Sequence, residues 1–195
     1  FMQQALPVIY CPNLKCRAAN REGERLCKQC GASLPQRYLW VVGTESAVDP
    51  VESSLLGRYL FRGPQVVIDT QPGIPLASSF DVTDNILPYL KLFPFRLHLP
   101  QVYSLLTIES ATETVALVLL EGVPLAPGDF FQTNGPEADL LKTVAVAEVF
   151  TNAWKKSSPL RQVNWLWQMA QLWTPLKQEG VAMSLINPEL LRVEG

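Results

Sequence analysis

The sequence predicts an α+β fold in which a small N-terminal ribbon is followed by an antiparallel sheet and then by helices. Three observations lead to this prediction. All four cysteines lie within residues 11–30, two pairs of short β-type segments occupy the middle of the chain, and helical periodicity begins after Gly122. Hydrophobic residues make up 48% and charged residues 17% of the 195 residues, which is typical of a globular protein and not of a disordered chain.

The cysteines form two close pairs, Cys-x4-Cys and Cys-x2-Cys, and ten residues separate the pairs. Zinc in a structural site takes four tetrahedral ligands, and a cysteine pair on each of two tight turns supplies them without a large core. Gly31 after the second pair can adopt the positive φ that a turn around a metal commonly requires. Pro12 and Asn13 favour a turn in the first pair. The predicted ligands of one structural Zn²⁺ are Cys11, Cys16, Cys27 and Cys30.

Two disulfides and a redox dithiol are the alternatives for these cysteines. Disulfides are typical of secreted proteins, and the first residues show no basic segment followed by an apolar stretch. A redox Cys-x2-Cys follows a strand and opens a helix, whereas Gly31 and Pro35 come soon after the second pair here. We therefore expect a closed four-thiolate site. Such a site leaves no position for substrate or water, so the metal would stabilise the fold and take no part in catalysis.

The net charge of −2 conceals an asymmetry along the chain. Residues 1–38 contain six basic and two acidic residues, which gives +4, and the remainder contains ten basic and sixteen acidic residues, which gives −6. Basic side chains near four thiolates on a dication offset the net negative charge of the site and keep the thiols deprotonated. We favour this interpretation of the basic segment. Nucleic-acid binding is the alternative.

Changes of pattern along the chain predict two domains. We expect a ribbon with a trailing strand over residues 1–44, because Tyr38–Val42 is a β-type run that precedes a polar, turn-rich segment. A second domain is expected over residues 45–195, with a sheet over about 55–122 and a helical part over about 136–195. The sheet is predicted from two hairpins, residues 58–62 with 65–69 and residues 102–108 with 115–120.

Prolines and helical spacing predict the remaining elements. The proline-rich stretch over 71–101 predicts a covering loop with a short helix near 84–92. Apolar spacing predicts a helix over 137–154. A second helix is expected to begin at Ser158, an N-cap followed by a first-turn proline, and to end at Gly180. One face of this second helix carries Leu160, Val163, Leu166, Ala170, Trp173 and Leu176.

The C-terminal tryptophans and the single histidine are further candidates for function. Tryptophans at helical spacing more often form a core or a domain contact than a ligand site. We therefore predict that Trp165 and Trp167 contribute to an interaction surface. His98 is flanked by Leu97 and Leu99 and has no second histidine to act with, so we expect it to be structural.

The C-terminal residues carry a likeness to a known family. Residues 181–193 include Pro188 and Glu189, which match the loop H-R-D-x-K-P-E-N. Strand pairs followed by the Leu-Leu-Glu-Gly junction at 119–122 and then by helices complete the pattern. This arrangement resembles the two lobes of a eukaryotic-type protein kinase. The resemblance implies a kinase-like fold for the second domain, truncated within its C-terminal lobe.

The residues that this family uses for chemistry differ in the present chain. Met183 stands where the family has histidine, Leu185 where it has the catalytic aspartate, and Leu190 where it has the metal-binding asparagine. Leucine cannot accept the proton of the attacking hydroxyl. Asp69 stands where the family's lysine would hold the nucleotide phosphates, which reverses the charge. We therefore expect a degenerate, pseudokinase-like domain that is no enzyme and binds no nucleotide.

Five short runs, at residues 10–13, 27–31, 37–40, 88–94 and 185–188, carry a second likeness. They resemble the N-terminal region of cyanobacterial PPM-type Ser/Thr protein phosphatases. The resemblance implies that a metal-dependent phosphatase domain follows in the intact protein. The chain is then expected to be a regulatory module in signalling that binds a protein partner or a C-terminal catalytic domain. We expect it to be cytoplasmic and not inserted in a membrane, because no apolar run reaches the ~18–20 residues of a membrane helix.

Overall fold

The computed structural model of the protein describes residues 8–43, 54–63, 65–75, 84, 86–109, 114–128 and 143–193. Within these ranges the chain is mixed α and β, with antiparallel sheets followed by helices. This coarse architecture confirms the α+β prediction. None of the described helices combines the length and the apolar character that are needed to cross a lipid bilayer.

The ribbon begins with β1 (Val8–Tyr10), which pairs antiparallel with β2 (Ala19–Arg21). Ile9 points inward from β1 and is fully buried. An isolated bridge joins Leu26 to Ser33 and closes the second turn of the ribbon. Two short antiparallel contacts therefore frame the two cysteine pairs, and the ribbon has little core besides them.

A six-stranded antiparallel sheet forms the largest unit of the described chain, in the order β4-β5-β6-β3-β8-β7. Both predicted hairpins are present, since β5 pairs with β6 and β7 pairs with β8. Its inner strands supply many of the buried side chains, since all four residues of β6 are buried and β3 buries every second residue. The strands are β3 (Tyr38–Val42), β4 (Ser54–Leu55), β5 (Tyr59–Gly63), β6 (Val66–Asp69), β7 (Gln101–Glu109) and β8 (Thr114–Glu121).

Strand β3 is an inner strand of this sheet. The sequence led us to place Tyr38–Val42 at the end of the ribbon, but β3 pairs with β6 on one side and with β8 on the other. Leu39 and Val41 are fully buried and pack in the sheet core with Leu117 and Leu119. The buried residues of β3 therefore belong to the core of the six-stranded sheet, and the ribbon continues directly into that sheet.

A separate pair, β9 (Leu125–Gly128) and β10 (Thr143–Val146), follows the sheet. The predicted helix over 137–154 is wrong for residues 143–149, because residues 143–146 form a strand; residues 137–142 lie outside the described ranges. Only its last part is helical, in α2 (Phe150–Lys156). β-Branched residues and an antiparallel partner favour a strand here over the helix that the apolar spacing suggested.

The described chain has two further α-helices besides α2, together with short 3₁₀ turns. Helix α1 (Leu87–Lys91) lies in the proline-rich stretch, as predicted. Helix α3 (Pro159–Gln178) begins as predicted, because the Ser158 side chain accepts a hydrogen bond from the Arg161 backbone N–H. Gly180 follows its end with a φ of 76°. The helical core contains Leu92, Leu172, Leu176 and Leu185.

The apolar stripe of α3 that the sequence pattern singled out is mostly exposed. Only Leu176 of that stripe is buried, and the opposite side of the helix packs inward through Leu172 and Met169. Because α3 contains only two charged residues, apolar residues occur on more than one side of the helix. The sequence pattern therefore could not predict which side is buried. We call the exposed set the α3 face: Leu160, Val163, Leu166, Trp167, Ala170 and Trp173.

Candidate metal centre

The first cysteine turn is built around Asn13. Its carbonyl accepts hydrogen bonds from the backbone N–H groups of Cys16 and Arg17, at 2.9 and 3.0 Å. Its side-chain Oδ1 accepts another from the backbone N–H of Lys15, at 3.0 Å. Arg17 has a φ of 47°, in the left-handed region that few non-glycine residues adopt. The turn therefore depends on a local asparagine and on one strained arginine, which bring Cys11 and Cys16 together.

The second turn has the geometry that the sequence predicted. The backbone N–H of Gly31 donates to the carbonyl of Cys27 at 2.8 Å, and Gly31 has a φ of 72°. The N–H of Cys27 donates to the carbonyl of Ala32 at 2.7 Å. This tight loop turns Cys27 and Cys30 towards the first pair.

All four cysteine side chains meet between the two turns. Their Sγ atoms lie within 4.8 Å of one another. Cys11 Sγ lies 3.6 Å from Cys30 Sγ, and Cys16 Sγ lies 3.8 Å from Cys27 Sγ. A tetrahedron with metal–sulfur distances of about 2.3 Å has sulfur atoms about 3.8 Å apart, whereas a disulfide needs about 2.05 Å. The four residues are thus close enough to hold one metal ion, and they form no disulfide.

Asn20 belongs to the candidate metal site, although the sequence pattern did not predict it. It is buried in β2, and its Nδ2 lies 3.7 Å from Cys27 Sγ and 2.8 Å from the carbonyl oxygen of Ala18. Its Oδ1 accepts a hydrogen bond from the backbone N–H of Lys28 at 3.0 Å. Such a donor orients a ligand sulfur and stabilises its negative charge. The available signal was an asparagine inside a strand, where this residue type is disfavoured.

The thiol pKa values differ across the cluster. Burial raises the pKa of Cys11 to about 12. The pKa of Cys27 is lowered to about 6, because burial is outweighed by the backbone N–H groups of Cys30 and Gln29 and by neighbouring thiols. Backbone N–H groups thus favour the thiolate of Cys27, whereas burial favours the protonated thiol of Cys11, so metal binding to the cluster displaces protons. Metal affinity should consequently fall as the pH is lowered.

The outer surface of the ribbon is basic. None of the basic residues on it is buried, and Glu22, one of its two acidic residues, turns towards the sheet. Four thiolates around a divalent ion carry a net charge of −2, which such cations would partly offset. The exposed basic residues are Lys15, Arg17, Arg21, Arg25 and Lys28.

The ribbon is attached to the six-stranded sheet by polar contacts. The backbone N–H of Tyr10 donates to the carbonyl of Thr70 at 2.8 Å. Glu22 Oε1 accepts hydrogen bonds from Arg62 Nε at 3.0 Å and from the Tyr38 hydroxyl at 2.7 Å. Both members of the Arg62–Glu22 ion pair are largely buried, so its loss would leave a poorly solvated charge. The position of the metal cluster is therefore linked to the sheet.

A second attachment is a close backbone contact between Gly73 and Pro12. A Cβ atom on Gly73 would overlap with the backbone of Pro12, which follows the first ligand, Cys11. The Gly73 loop is held in turn by Arg58, whose Nη2 donates to the carbonyls of Gln71 and Ile74, both at 3.0 Å. Only glycine permits this approach of the loop to the first cysteine turn.

The substitution Gly73→Ala is expected to push the loop away from the first cysteine turn and to destabilise the fold by about 1–3 kcal/mol. Metal should pass to a chelator more rapidly than from the wild type, because Pro12 adjoins a ligand. Gly122→Ala is the matched control: its Cβ would meet nothing within 4 Å, and its cost is backbone strain at a φ of 78°. Chelator competition on both variants checks this, and equal metal release would contradict it.

Asp69 lies at the end of β6, where its side chain is 0% exposed. Both its oxygens bind Arg58, at 2.9 and 2.8 Å. It also accepts hydrogen bonds from the Tyr103 hydroxyl at 2.6 Å and from the backbone N–H of Gln71 at 2.8 Å. Burial and this carboxylate raise the pKa of Tyr103. Asp69 thus organises the sheet and the Gly73 loop.

The other positions taken from the kinase pattern lie in the 3₁₀ turns after α3. Met183 and Leu185 belong to the turn Ala182–Ile186, and Leu190 ends the turn Pro188–Leu190. Leu185 is buried in the helical core, whereas the other two are exposed. Asp69 lies in the sheet, where its partners are Arg58, Tyr103 and Gln71. The four positions taken from the kinase pattern therefore lie in two different parts of the fold.

The two tryptophans predicted at an interaction surface have different surroundings. Trp165 is half-buried and packs against Phe150 and Trp154 of α2, at ring-centroid distances of 5.7 and 6.4 Å. Trp167 is 58% exposed and belongs to the α3 face. Of the pair, Trp167 is available to a partner, whereas Trp165 holds α2 against α3.

No protein-family model matches the chain. None of the curated proteins and none of the solved structures that were compared with it matches either. What the protein does must therefore be inferred from its own residues and their geometry.

Proposed function

We propose that this chain is a non-catalytic regulatory module that binds protein and that one structural zinc ion holds its ribbon together. Zinc is favoured because four thiolates at tetrahedral spacing make a closed site for this metal. Two buried ligands and the Asn20 contact suit a permanent structural ion. Reduced cysteines in this arrangement also favour a cytoplasmic location.

The observation that carries the interaction role is the α3 face. Leu160 is 81% exposed on it, and Trp167 and Trp173 remain substantially exposed at the same side of the helix. Soluble monomers seldom expose a contiguous apolar patch of this kind unless it binds something. Aromatic side chains in such a patch are the residues that contribute most to protein–protein affinity.

We further propose that the six-stranded sheet, with β3 as one of its strands, and the helices after it form a degenerate kinase-like domain, and that the chain belongs to the N-terminal part of a Ser/Thr protein phosphatase. The antiparallel sheet followed by helices supports a kinase-like arrangement. The ion pair of Asp69 with Arg58 supports the absence of phosphoryl transfer, because this carboxylate is committed to the fold. The module would then position or control the catalytic domain.

Binding to a PPM-type phosphatase catalytic domain tests this function. Titration calorimetry should detect binding of the chain to that domain, and hydrolysis of a phosphopeptide by the domain should change when the chain is added. Trp167→Ala should weaken binding, whereas Leu56→Ala, an exposed leucine in the β4–β5 turn, should not. Absence of both binding and any change in hydrolysis would contradict the proposal.

A second candidate function is nucleic-acid binding by the ribbon. The five exposed basic residues around the metal cluster favour it. Contacts to phosphates release counterions, so binding would weaken steeply as salt is raised. Fluorescence anisotropy with single- and double-stranded oligonucleotides at low salt distinguishes this candidate, because absence of binding to every probe would eliminate it.

A further inference from the structure

We propose that Cys30 is a site of reversible oxidation by a hydroperoxide and that Cys11 is the thiol that completes the reaction as a disulfide. This inference rests on the proposed zinc site and adds a means of regulating it: the ion stays bound in reducing surroundings and is released by the oxidant. Three features of the cluster support it, namely the exposure of Cys30, the hydrogen bonds to Cys27, and the distance between the sulfur atoms of Cys11 and Cys30.

The four sulfur ligands differ in their access to solvent. Cys11 and Cys27 are only 4% and 3% exposed and Cys16 is half-buried, whereas Cys30 is exposed. Metal ligation deprotonates all four thiols, so access and hydrogen bonding distinguish their reactivity. A hydroperoxide is small and needs no binding pocket, so exposure is sufficient to admit it to a sulfur atom. The first attack is therefore expected at Cys30.

Hydrogen bonds distinguish the two ligands of the second turn. The sulfur of Cys27 accepts hydrogen bonds from the backbone N–H groups of Gln29 and Cys30, and it lies 3.7 Å from Asn20 Nδ2. These donors engage the lone pairs that would attack an oxidant. The side-chain donor beside Cys30 is Asn13 Nδ2, at a long distance of 4.0 Å from Cys30 Sγ. The lone pairs of Cys30 are therefore more available than those of Cys27.

Cys11 has the position of a resolving thiol. Its Sγ lies 3.6 Å from Cys30 Sγ. A disulfide requires about 2.05 Å, so the two sulfur atoms need to approach each other by only about 1.5 Å. A sulfenic acid with a thiol this close condenses with it to a disulfide. The oxidised product is then a disulfide between Cys11 and Cys30, which a reducing thiol converts back to the two ligands.

The reaction balances with the hydroperoxide as the oxidant. The Cys30 sulfur attacks one peroxide oxygen, the O–O bond breaks, and hydroxide leaves as the sulfenic acid forms. The Cys11 sulfur then attacks the Cys30 sulfur, forms the S–S bond and expels the sulfenic oxygen as a second hydroxide. The two thiolates lose two electrons, and two protons convert the hydroxides to water. Because two of the four ligands are lost, the metal ion is bound far more weakly.

Oxidation of Cys11 also acts on the junction between the ribbon and the six-stranded sheet. On one side of Cys11, the backbone N–H of Tyr10 donates to the carbonyl of Thr70 at 2.8 Å. On its other side, the backbone of Pro12 lies in close contact with Gly73. Loss of the metal would weaken both attachments, so the effect of the oxidant reaches the sheet through the neighbours of one ligand.

Treatment of the zinc-loaded chain with hydrogen peroxide, followed by peptide mapping of disulfides, tests the proposal. The first disulfide should join Cys11 and Cys30, and a chromogenic chelator should register about one zinc ion released per disulfide formed. A reducing dithiol should restore metal binding. A first disulfide between Cys16 and Cys27, or full retention of zinc at about a tenfold excess of peroxide, would overturn the proposal.

A variant of Cys30 gives a second test. An imidazole ligates zinc but forms no disulfide, so the zinc held by Cys30→His should be released by peroxide at least about tenfold more slowly than that of the wild type. Gln29→Ser is the matched control, because Gln29 is exposed in the same turn and its side chain is no ligand; its zinc should be released at the wild-type rate. Equal release from Cys30→His and the wild type would refute oxidation at Cys30 alone, whereas absence of zinc from the untreated wild type would refute the proposed zinc site as well.

Discussion

Cys27→Ser is expected to reduce bound zinc from about one ion per chain to a small fraction and to unfold the ribbon. The thiol of Cys27 is buried, and its pKa is lowered to about 6 because the backbone N–H groups of Cys30 and Gln29 and the neighbouring thiols outweigh burial. A structural zinc site contributes on the order of 10–16 kcal/mol of binding free energy, and much of this is folding free energy. Serine supplies a far poorer ligand.

Metal analysis by mass spectrometry and hydrogen exchange on the same sample measure both effects. The amides of β1 and β2 should lose protection in the variant, whereas β7 and β8 should retain most of theirs. Gln29→Ser is the matched control, since Gln29 is exposed in the same turn and its side chain is no ligand. Full zinc content in Cys27→Ser, or none in the wild type, would contradict the zinc assignment.

Asp69→Asn is expected to destabilise the protein by about 3–5 kcal/mol, the usual cost of removing one partner from a buried ion pair. The Asp69 side chain is fully buried, and Arg58 would keep its charge without a carboxylate to balance it. The Tyr103 hydroxyl and the Gln71 N–H would lose an anionic acceptor as well. Asparagine preserves the shape, so the loss reports the charge and its hydrogen bonds.

Urea unfolding monitored by tryptophan fluorescence gives the change in the free energy of unfolding. The matched control is Lys156→Ala, which removes a lysine that is 73% exposed from its ion pair with Glu148. An exposed pair contributes about 0–1 kcal/mol, so the control should lie near the wild type. If Asp69→Asn were no less stable than this control, the carboxylate would have no structural role, and another function for Asp69 would have to be found.

The sequence by itself determined the features that depend on neighbouring residues. The four cysteines, with Gly31 after the second pair, predicted a metal cluster because ligand spacing and turn chemistry are local properties. Ser158 and Gly180 predicted the ends of α3, since caps act within one turn of a helix. Both hairpins of the large sheet were predicted for the same reason, because a short turn joins the strands of each.

Tertiary structure decided the features that depend on distant residues. Strand β3 belongs to the six-stranded sheet because it pairs with β6 and β8. Residues of β10 form a strand because β9 provides an antiparallel partner. Asp69 gained its role from Arg58 and Tyr103, which no spacing rule connects to it.

The α3 face shows the limit most directly. The apolar spacing of α3 indicated an amphipathic helix, but apolar residues occur on opposite sides of it. The side that is buried is the one that packs against Leu92 and Leu185. Residue spacing establishes which side chains share a face of a helix. Which face is buried depends on the elements that reach it through the fold, and here that choice left Leu160 and Trp167 exposed.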